Sequence, residues 1–161
     1  MKPTLIAVFG ILAALPAVAQ QLPQRKPGLW ETKSTGNEGE TTARQCVGPA
    51  TDQPIAGGLP AGACSKILVT KTATGYAVET ECAVGQIKAS GSSVITGDFE
   101  TSVRTEGLTR LSGMPGQSAP LERKLTVEAR RLGECETGQK PGDIIMPDGK
   151  VISMPPAKPA P

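Results

Sequence analysis

The most reactive side chains of this chain are those of four cysteines: Cys46, Cys64, Cys82 and Cys135. Thiolates can hold a metal ion, exchange electrons or pair as disulfides, and their spacing indicates which use applies. The intervals of 18, 18 and 53 residues include no C-x-x-C pair, and the sequence has no histidine that could complete a mixed metal site. The even number of cysteines therefore predicts two structural disulfides rather than a metal or redox centre.

The pairing of these cysteines has three solutions. The preferred prediction joins Cys46 to Cys64 and Cys82 to Cys135, because the first bond would close the Gly- and Pro-rich segment 47–63. Loops of these two sizes are worth roughly 3 and 4 kcal/mol in the chain-entropy model. The alternative joins Cys64 to Cys82 across a hairpin and leaves Cys46 for Cys135.

Residues that could act in acid–base or nucleophilic catalysis lack partners. The absence of histidine removes the usual general base and the Ser-His and Cys-His nucleophile pairs. Glu79 and Glu81 could form a carboxylate pair, but alternation places both on the polar side of a strand, facing solvent. Ser90, Ser92 and Ser93 have no base that the sequence reveals. We therefore predict that the chain is not an enzyme and has no catalytic residue.

The remaining soft ligands are methionines that each precede a proline: Met114, Met146 and Met154. Thioethers suit Cu(I), yet methionine in loops is common without any metal. We therefore predict no metal site and no cofactor.

Three aromatic residues, Trp30, Tyr76 and Phe99, lie beyond residue 20. A lone tryptophan at the start of a first strand usually anchors a core or plugs the end of a barrel. In a closed sheet the three side chains could instead line a lumen for one small apolar molecule. This ligand site is the alternative to a domain without a defined ligand.

The first nineteen residues have the pattern of a secretory signal peptide. Lys2 provides a positive start, residues 5–15 are apolar, and Ala17-Val18-Ala19 forms a small-x-small cleavage site. The stretch is too short and too rich in alanine for a membrane anchor. We expect a mature chain that begins near Gln20, has no membrane span and enters an oxidising compartment, where disulfides persist.

Length and net charge further limit the classes of protein to which this chain could belong. A chain of 161 residues with a net charge of +2 is large enough for one domain and gives no electrostatic reason to bind nucleic acid. The sequence leaves the partner unknown, and a small apolar ligand is the one candidate it offers.

Period-two alternation of apolar and polar residues recurs between Leu29 and Arg131 and is clearest over 121–131. Turn signals such as Thr74-Gly75 and Gly97-Asp98 separate the alternating stretches. Residues 20–136 are therefore predicted to be all-β. We expect an antiparallel meander of about seven short strands that forms a curled sheet, an open barrel or a sandwich, stapled by two disulfides.

Residues 137–161 stand apart because the stretch from Glu136 onward contains six of the fifteen prolines. Such a tail buries too little apolar surface to fix its backbone, which predicts disorder. A marginal local hairpin could form around Pro147-Asp148-Gly149.

Two motifs frame the predicted domain: Lys26-Pro27-Gly28-Leu29-Trp30-Glu31 at its start and Arg131-Leu132-Gly133-Glu134-Cys135 at its end. With the ordered cysteines between them, residues 26–135 resemble a bacterial periplasmic family known as domain of unknown function 3617. The resemblance implies an all-β protein of the Gram-negative envelope with no assigned activity. We therefore expect a non-catalytic β-domain, periplasmic or secreted, of unknown biochemical role. The alternative is a carrier of a small apolar ligand near Trp30, Tyr76 and Phe99.

Overall fold

The computed structural model describes residues 21–49, 51–52 and 62–153, and in these ranges the chain forms nine β-strands and no helix. The strands are β1 (Gly28–Gly36), β2 (Gly39–Val47), β3 (Cys64–Lys71), β4 (Gly75–Val84), β5 (Ile87–Gly97), β6 (Ser102–Ser112), β7 (Leu121–Gly133), β8 (Asp143–Ile145) and β9 (Val151–Ser153). The predicted all-β class is confirmed, with two strands more than expected.

All nine strands belong to one antiparallel sheet with the order β3-β4-β5-β6-β7-β1-β2-β8-β9. Strands β3 to β7 follow one another as hairpins, and the β1–β2 hairpin then pairs with β7 through β1. The sheet does not close into a barrel, because β3 pairs only with β4 and β9 only with β8. Each strand makes close backbone contacts only with its sheet neighbours, so the described strands form one continuous sheet.

Alternation divides the sheet into two chemically different faces. We call the face that carries Trp30, Val78 and Ile95 the inner face and the opposite face the outer face. Cross-strand register keeps apolar side chains together on the inner face, where Tyr76 lies opposite Ile95 and Val103 lies opposite Ala129. Most charged side chains of the long strands fall on the outer face.

The buried core occupies one end of the inner face and consists of two clusters. The first contains Val69, Val78, Ile95 and Phe99, and the second contains Trp30, Val47 and Ala129. Val103 packs against both clusters and joins them.

The segment before β1, residues 21–27, covers this end of the inner face. Leu22 packs on the first cluster. The Lys26 amide donates to the Phe99 carbonyl at 2.7 Å, and the Trp30 indole Nε1 donates to the Lys26 carbonyl at 2.8 Å. We call residues 21–27 the N-terminal arm. The arm supplies part of the second layer that a single sheet needs in order to bury its apolar face.

The disulfides join Cys46 to Cys135 and Cys64 to Cys82, so the preferred pairing was wrong and the alternative is found. Cys64 and Cys82 face each other in the β3–β4 hairpin. Because β1 lies between β2 and β7, the ends of those two strands meet near its start. Cys46 and Cys135 thereby come within 5.4 Å between Cα atoms despite a sequence separation of 89. The sequence alone did not reveal that β1 pairs with β7 as well as with β2.

The tail forms part of the sheet as far as Ser153, so the prediction of disorder from residue 137 was wrong for residues 137–153. Strand β8 pairs with β2 at two positions, and β8 and β9 form the small hairpin around Pro147-Asp148-Gly149. The Gly142 amide also donates to the Cys46 carbonyl at 2.8 Å. The free edge of β2 stabilises a hairpin that would be marginal alone. The predicted signal peptide 1–19 and residues 154–161 lie outside the described residues.

Candidate functional site

The predicted ligand-contacting residues lie in the packed core. Trp30 is fully buried, with its ring against Val47 and Ala129 and its Nε1 bonded to the arm. Tyr76 and Phe99 meet edge to face in the other cluster, with ring centroids 5.9 Å apart. The structure therefore brings Tyr76 and Phe99 together and places Trp30 in the neighbouring cluster. Because the described sheet does not close, the three aromatic side chains do not enclose the barrel lumen that was expected.

Phe99 reaches the core through a strained turn between β5 and β6. Its φ is 60°, and it is the one non-glycine residue with positive φ among those described. Such a conformation costs about 1–3 kcal/mol and persists only where surrounding contacts enforce it. The enforcing contacts come from burial of the Phe99 ring and from the side chain of Asp98.

The Asp98 carboxylate organises this turn. Its Oδ1 accepts hydrogen bonds from the amides of Glu100, Thr101 and Ser102 at 3.0, 2.7 and 3.0 Å, and its Oδ2 accepts from the Thr101 hydroxyl at 2.5 Å. The Thr101 hydroxyl above all, and then the backbone amides, hold the pKa of Asp98 well below its ordinary value of 3.8. The sequence indicated a turn at Gly97-Asp98 but not this carboxylate's function.

A buried ion pair fixes the arm over Trp30. Asp52 accepts from the Arg25 amide at 2.6 Å and from Arg25 Nε at 2.9 Å, and its side chain is only 1% exposed. The Arg25 guanidinium also donates to Gln45 at 3.0 Å and lies 5.3 Å from the centre of the Trp30 ring. Sequence reasoning missed this pair because 27 residues separate its members. Asp52 serves as an anchor for the arm.

The carboxylate pair considered for acid–base chemistry lies on the outer face, as predicted. Glu79 and Glu81 are exposed, and the Lys66 ammonium contacts them at 2.8 and 3.8 Å. The hydrogen bond to Glu79 raises the pKa of Lys66 above its ordinary value. Ser90 and Ser92 are exposed on β5, and Ser93 is half-buried.

A groove of about 650 Å³ crosses five strands. Its lining consists of residues 35–37, 77–79, 92–94, 106–108 and 124–126. The central members of these triplets face one another in register, and the flanking members carry outer-face side chains. The groove therefore runs across the outer face. Ala77, Val94 and Leu108 give it apolar walls, and Glu79 and Lys124 lie along the same wall as Leu108.

The inner face beyond the core is open and partly apolar. Ile67, Val84, Ile87 and Leu125 have 49%, 47%, 37% and 47% of their surface exposed. Between them the strands carry small residues: Gly91, Ser93, Gly107 and Thr109. A smaller cavity of about 360 Å³ lies beside Leu125, under the β1–β2 turn, with Ser34, Thr41 and Arg123 in its lining. This open half is the candidate site for an apolar ligand.

In the part of the chain that the structure describes, no three His, Cys, Asp or Glu side chains gather so that they could hold a metal ion. Met114 and Met146 lie in separate loops, and Met154 falls outside the described residues. Within the same ranges no helix is long and apolar enough to cross a membrane.

A family model described as protein of unknown function (DUF3617) matches residues 25–135. This range coincides with the resemblance inferred from the opening and closing motifs. No curated protein and no solved structure matches the chain.

Proposed function

This chain belongs to the DUF3617 family of proteins of unknown function, and on that premise we propose that it is a non-catalytic β-domain exported to the periplasm. The observation that carries the proposal is the state of the cysteines. All four are joined in two disulfides, which form and persist in oxidising compartments.

The small core also supports an oxidising compartment for this domain. Nine apolar residues are buried among those described, and only Trp30, Cys46 and Val47 are almost completely inaccessible. A single sheet with so little buried apolar surface gains a large share of its stability from covalent links. The domain is therefore suited to a compartment in which both disulfides stay oxidised.

Two carboxylates of the described chain take part in turns, where their hydrogen bonds favour the charged form. Asp98 and Asp143 both have a pKa lowered by hydrogen bonds within turns, and the strongest bond to Asp143 comes from the Ser153 hydroxyl. A catalytic acid requires the opposite shift, because it must keep its proton near neutral pH. The two shifted carboxylates therefore stabilise the fold.

The test is the chemical state of protein recovered from the periplasmic fraction of a Gram-negative host. Intact mass should give an N-terminus at or within two residues of Gln20, and thiol titration in denaturant should find no free cysteine. Four free thiols, or a full-length product in the cytoplasmic fraction, would overturn the proposal.

A second candidate, carriage of a small apolar ligand, is favoured by the exposed apolar residues of the inner face. Trp30 and Phe99 are buried and Tyr76 packs against Phe99, so we place the candidate site in the open half near Leu125. Apolar surface of this kind on a sheet face is typical of ligand or partner sites.

Leu125 and Val94 provide a matched test of that candidate, since each is 47% exposed but they lie on opposite faces. Dansyl-undecanoic acid should bind the oxidised protein, and Leu125→Asp should weaken binding at least tenfold. Val94→Asp should leave binding unchanged. Equal effects of the two substitutions, or no binding by the parent protein, would rule the inner face out.

A further inference from the structure

The two ends of the sheet differ in how well they are protected against pairing with another strand. Strand β9 is three residues long, and the sequence after it contains Pro155 and Pro156, which lack the amide needed to extend a ladder. Strand β3 is eight residues long and contains no proline. Its outward backbone groups have no neighbouring strand among those described. An edge of this kind is a template for strand addition.

The side chains of β3 reinforce this difference. Ile67 and Leu68 stand at its centre, one on each face, with 49% and 44% of their surface exposed. A lysine usually discourages pairing at such an edge. Here the ammonium of Lys66 bonds to Glu79 and Glu81 of β4 and is thereby directed back over the sheet. The strand therefore presents an apolar centre without a charge projecting from it.

We propose that β3 pairs antiparallel with β3 of a second copy of this chain, about a twofold axis at Leu68. The two nine-stranded sheets then form one continuous sheet with their inner faces on the same side. In this register Ile67 of each copy lies opposite Val69 of the other, so the apolar rows of the two inner faces join.

The sequence of β3 selects both the second copy and the register. With Leu68 at the axis, Lys66 lies opposite Thr70 and meets a hydroxyl side chain, and Lys71 falls at the register shift of β3 beside Ser65, away from the other lysine. An axis at Lys66 would oppose two lysines. An axis at Ile67 would place Lys66 opposite Leu68, and an axis at Val69 would place Lys71 opposite Ile67. Antiparallel pairing about Leu68 thus satisfies the strand's own charge pattern.

Sedimentation velocity of the oxidised, exported protein tests the proposal. The parent protein should be a dimer at micromolar concentration, and Leu68→Lys should raise the dimer dissociation constant at least tenfold because it opposes two lysines at the axis. Val94→Lys is the matched control, since it adds the same charge at a similarly exposed position on β5, away from the edge. A monomeric parent, or equal weakening by both variants, would overturn the proposal.

Hydrogen exchange locates the interface independently of the variants. Amides of β3 should become more protected as protein concentration rises, whereas those of β9 should not change. In dilute solution the two variants should have the same melting temperature as each other within error, and a cooperative melting transition of each shows that it folds. Dimerisation without added protection of the β3 amides would contradict pairing between two copies through this strand.

Discussion

At the scale of single residues, two carboxylates do most of the positioning around the core. Asp98 sets the turn that delivers Phe99, and Asp52 anchors the arm that covers Trp30. Their environments differ, because the Asp98 turn is exposed whereas the Asp52 side chain is 1% exposed. The two should therefore respond differently to substitution and to pH.

Asp98→Asn should lower the melting temperature at neutral pH, because an amide replaces a carboxylate that accepts four hydrogen bonds. The folded-state pKa of Asp98 is depressed, so its contribution to stability is present above its ordinary pKa of 3.8 and declines as pH falls below that value. The difference in melting temperature between parent and variant should accordingly shrink in acid.

Melting curves from pH 7 to pH 2 measure this convergence. Glu100→Gln is the control within the same turn, since its side chain is 70% exposed, and it should change the melting temperature little. A parent–variant difference that stays constant across this range would contradict the assigned role of Asp98.

Asp52→Asn should cost about 3–5 kcal/mol, because it leaves the Arg25 guanidinium partly buried without its counter-charge. Glu122→Gln breaks the exposed pair with Arg110, and it should cost less than about 1 kcal/mol. Urea unfolding of the two variants gives the comparison. Similar losses for both would show that the Arg25–Asp52 pair does not hold the arm.

At the scale of elements, each disulfide closes a different part of the sheet. The bond from Cys64 to Cys82 staples one hairpin, while the bond from Cys46 to Cys135 joins the ends of β2 and β7 across β1. The second bond constrains far more of the unfolded chain.

Removing the Cys46–Cys135 bond by a double alanine substitution should cost about 4.5 kcal/mol, against about 3 kcal/mol for the Cys64–Cys82 bond. These values follow from sequence separations of 89 and 18. Denaturant titration under oxidising conditions measures both, and non-reducing peptide mapping of the parent checks the pairing. A larger loss for the Cys64–Cys82 variant would contradict the chain-entropy account.

The β8–β9 hairpin predicts a further difference between two truncations. Ending the chain after Glu136 removes the pairing with β2 and the bond from Gly142 to Cys46, which should cost about 2 kcal/mol and lower the melting temperature by several degrees. Ending it after Ser153 keeps these contacts, including the bond from Ser153 to Asp143 at 2.6 Å. Equal melting temperatures for the two truncations would show that the hairpin adds nothing.

At the scale of the whole molecule, the described chain is one sheet with a core at one end. The arm and the Asp98 turn place Leu22 and Phe99 on that end, where they supply part of the contacts that a second layer would otherwise provide, and the tail hairpin extends the sheet beside β2. The rest of the inner face and the β3 edge stay exposed. Both proposed binding surfaces follow from this uneven coverage.

Local patterns in the sequence determined much of this protein. Alternation predicted the long strands, because side chains on a strand point to opposite faces in turn. The opening and closing motifs identified the family, and the solvent-facing position of Glu79 and Glu81 followed from the same alternation. Each of these features depends on residues close together in the sequence.

The tertiary structure decided what depends on distant strands. The pairing of Cys46 with Cys135 requires β1 to lie between β2 and β7. The formation of strand β8 requires the free edge of β2, with which it pairs. Contacts between segments distant in the sequence, which periodicity does not encode, also produce two other features. These are the pair of Arg25 with Asp52 and the separation of Trp30 from Tyr76 and Phe99. Period two fixes the face on which a side chain lies, whereas strand order fixes its neighbours, and only the strand order could show that the sheet stays open.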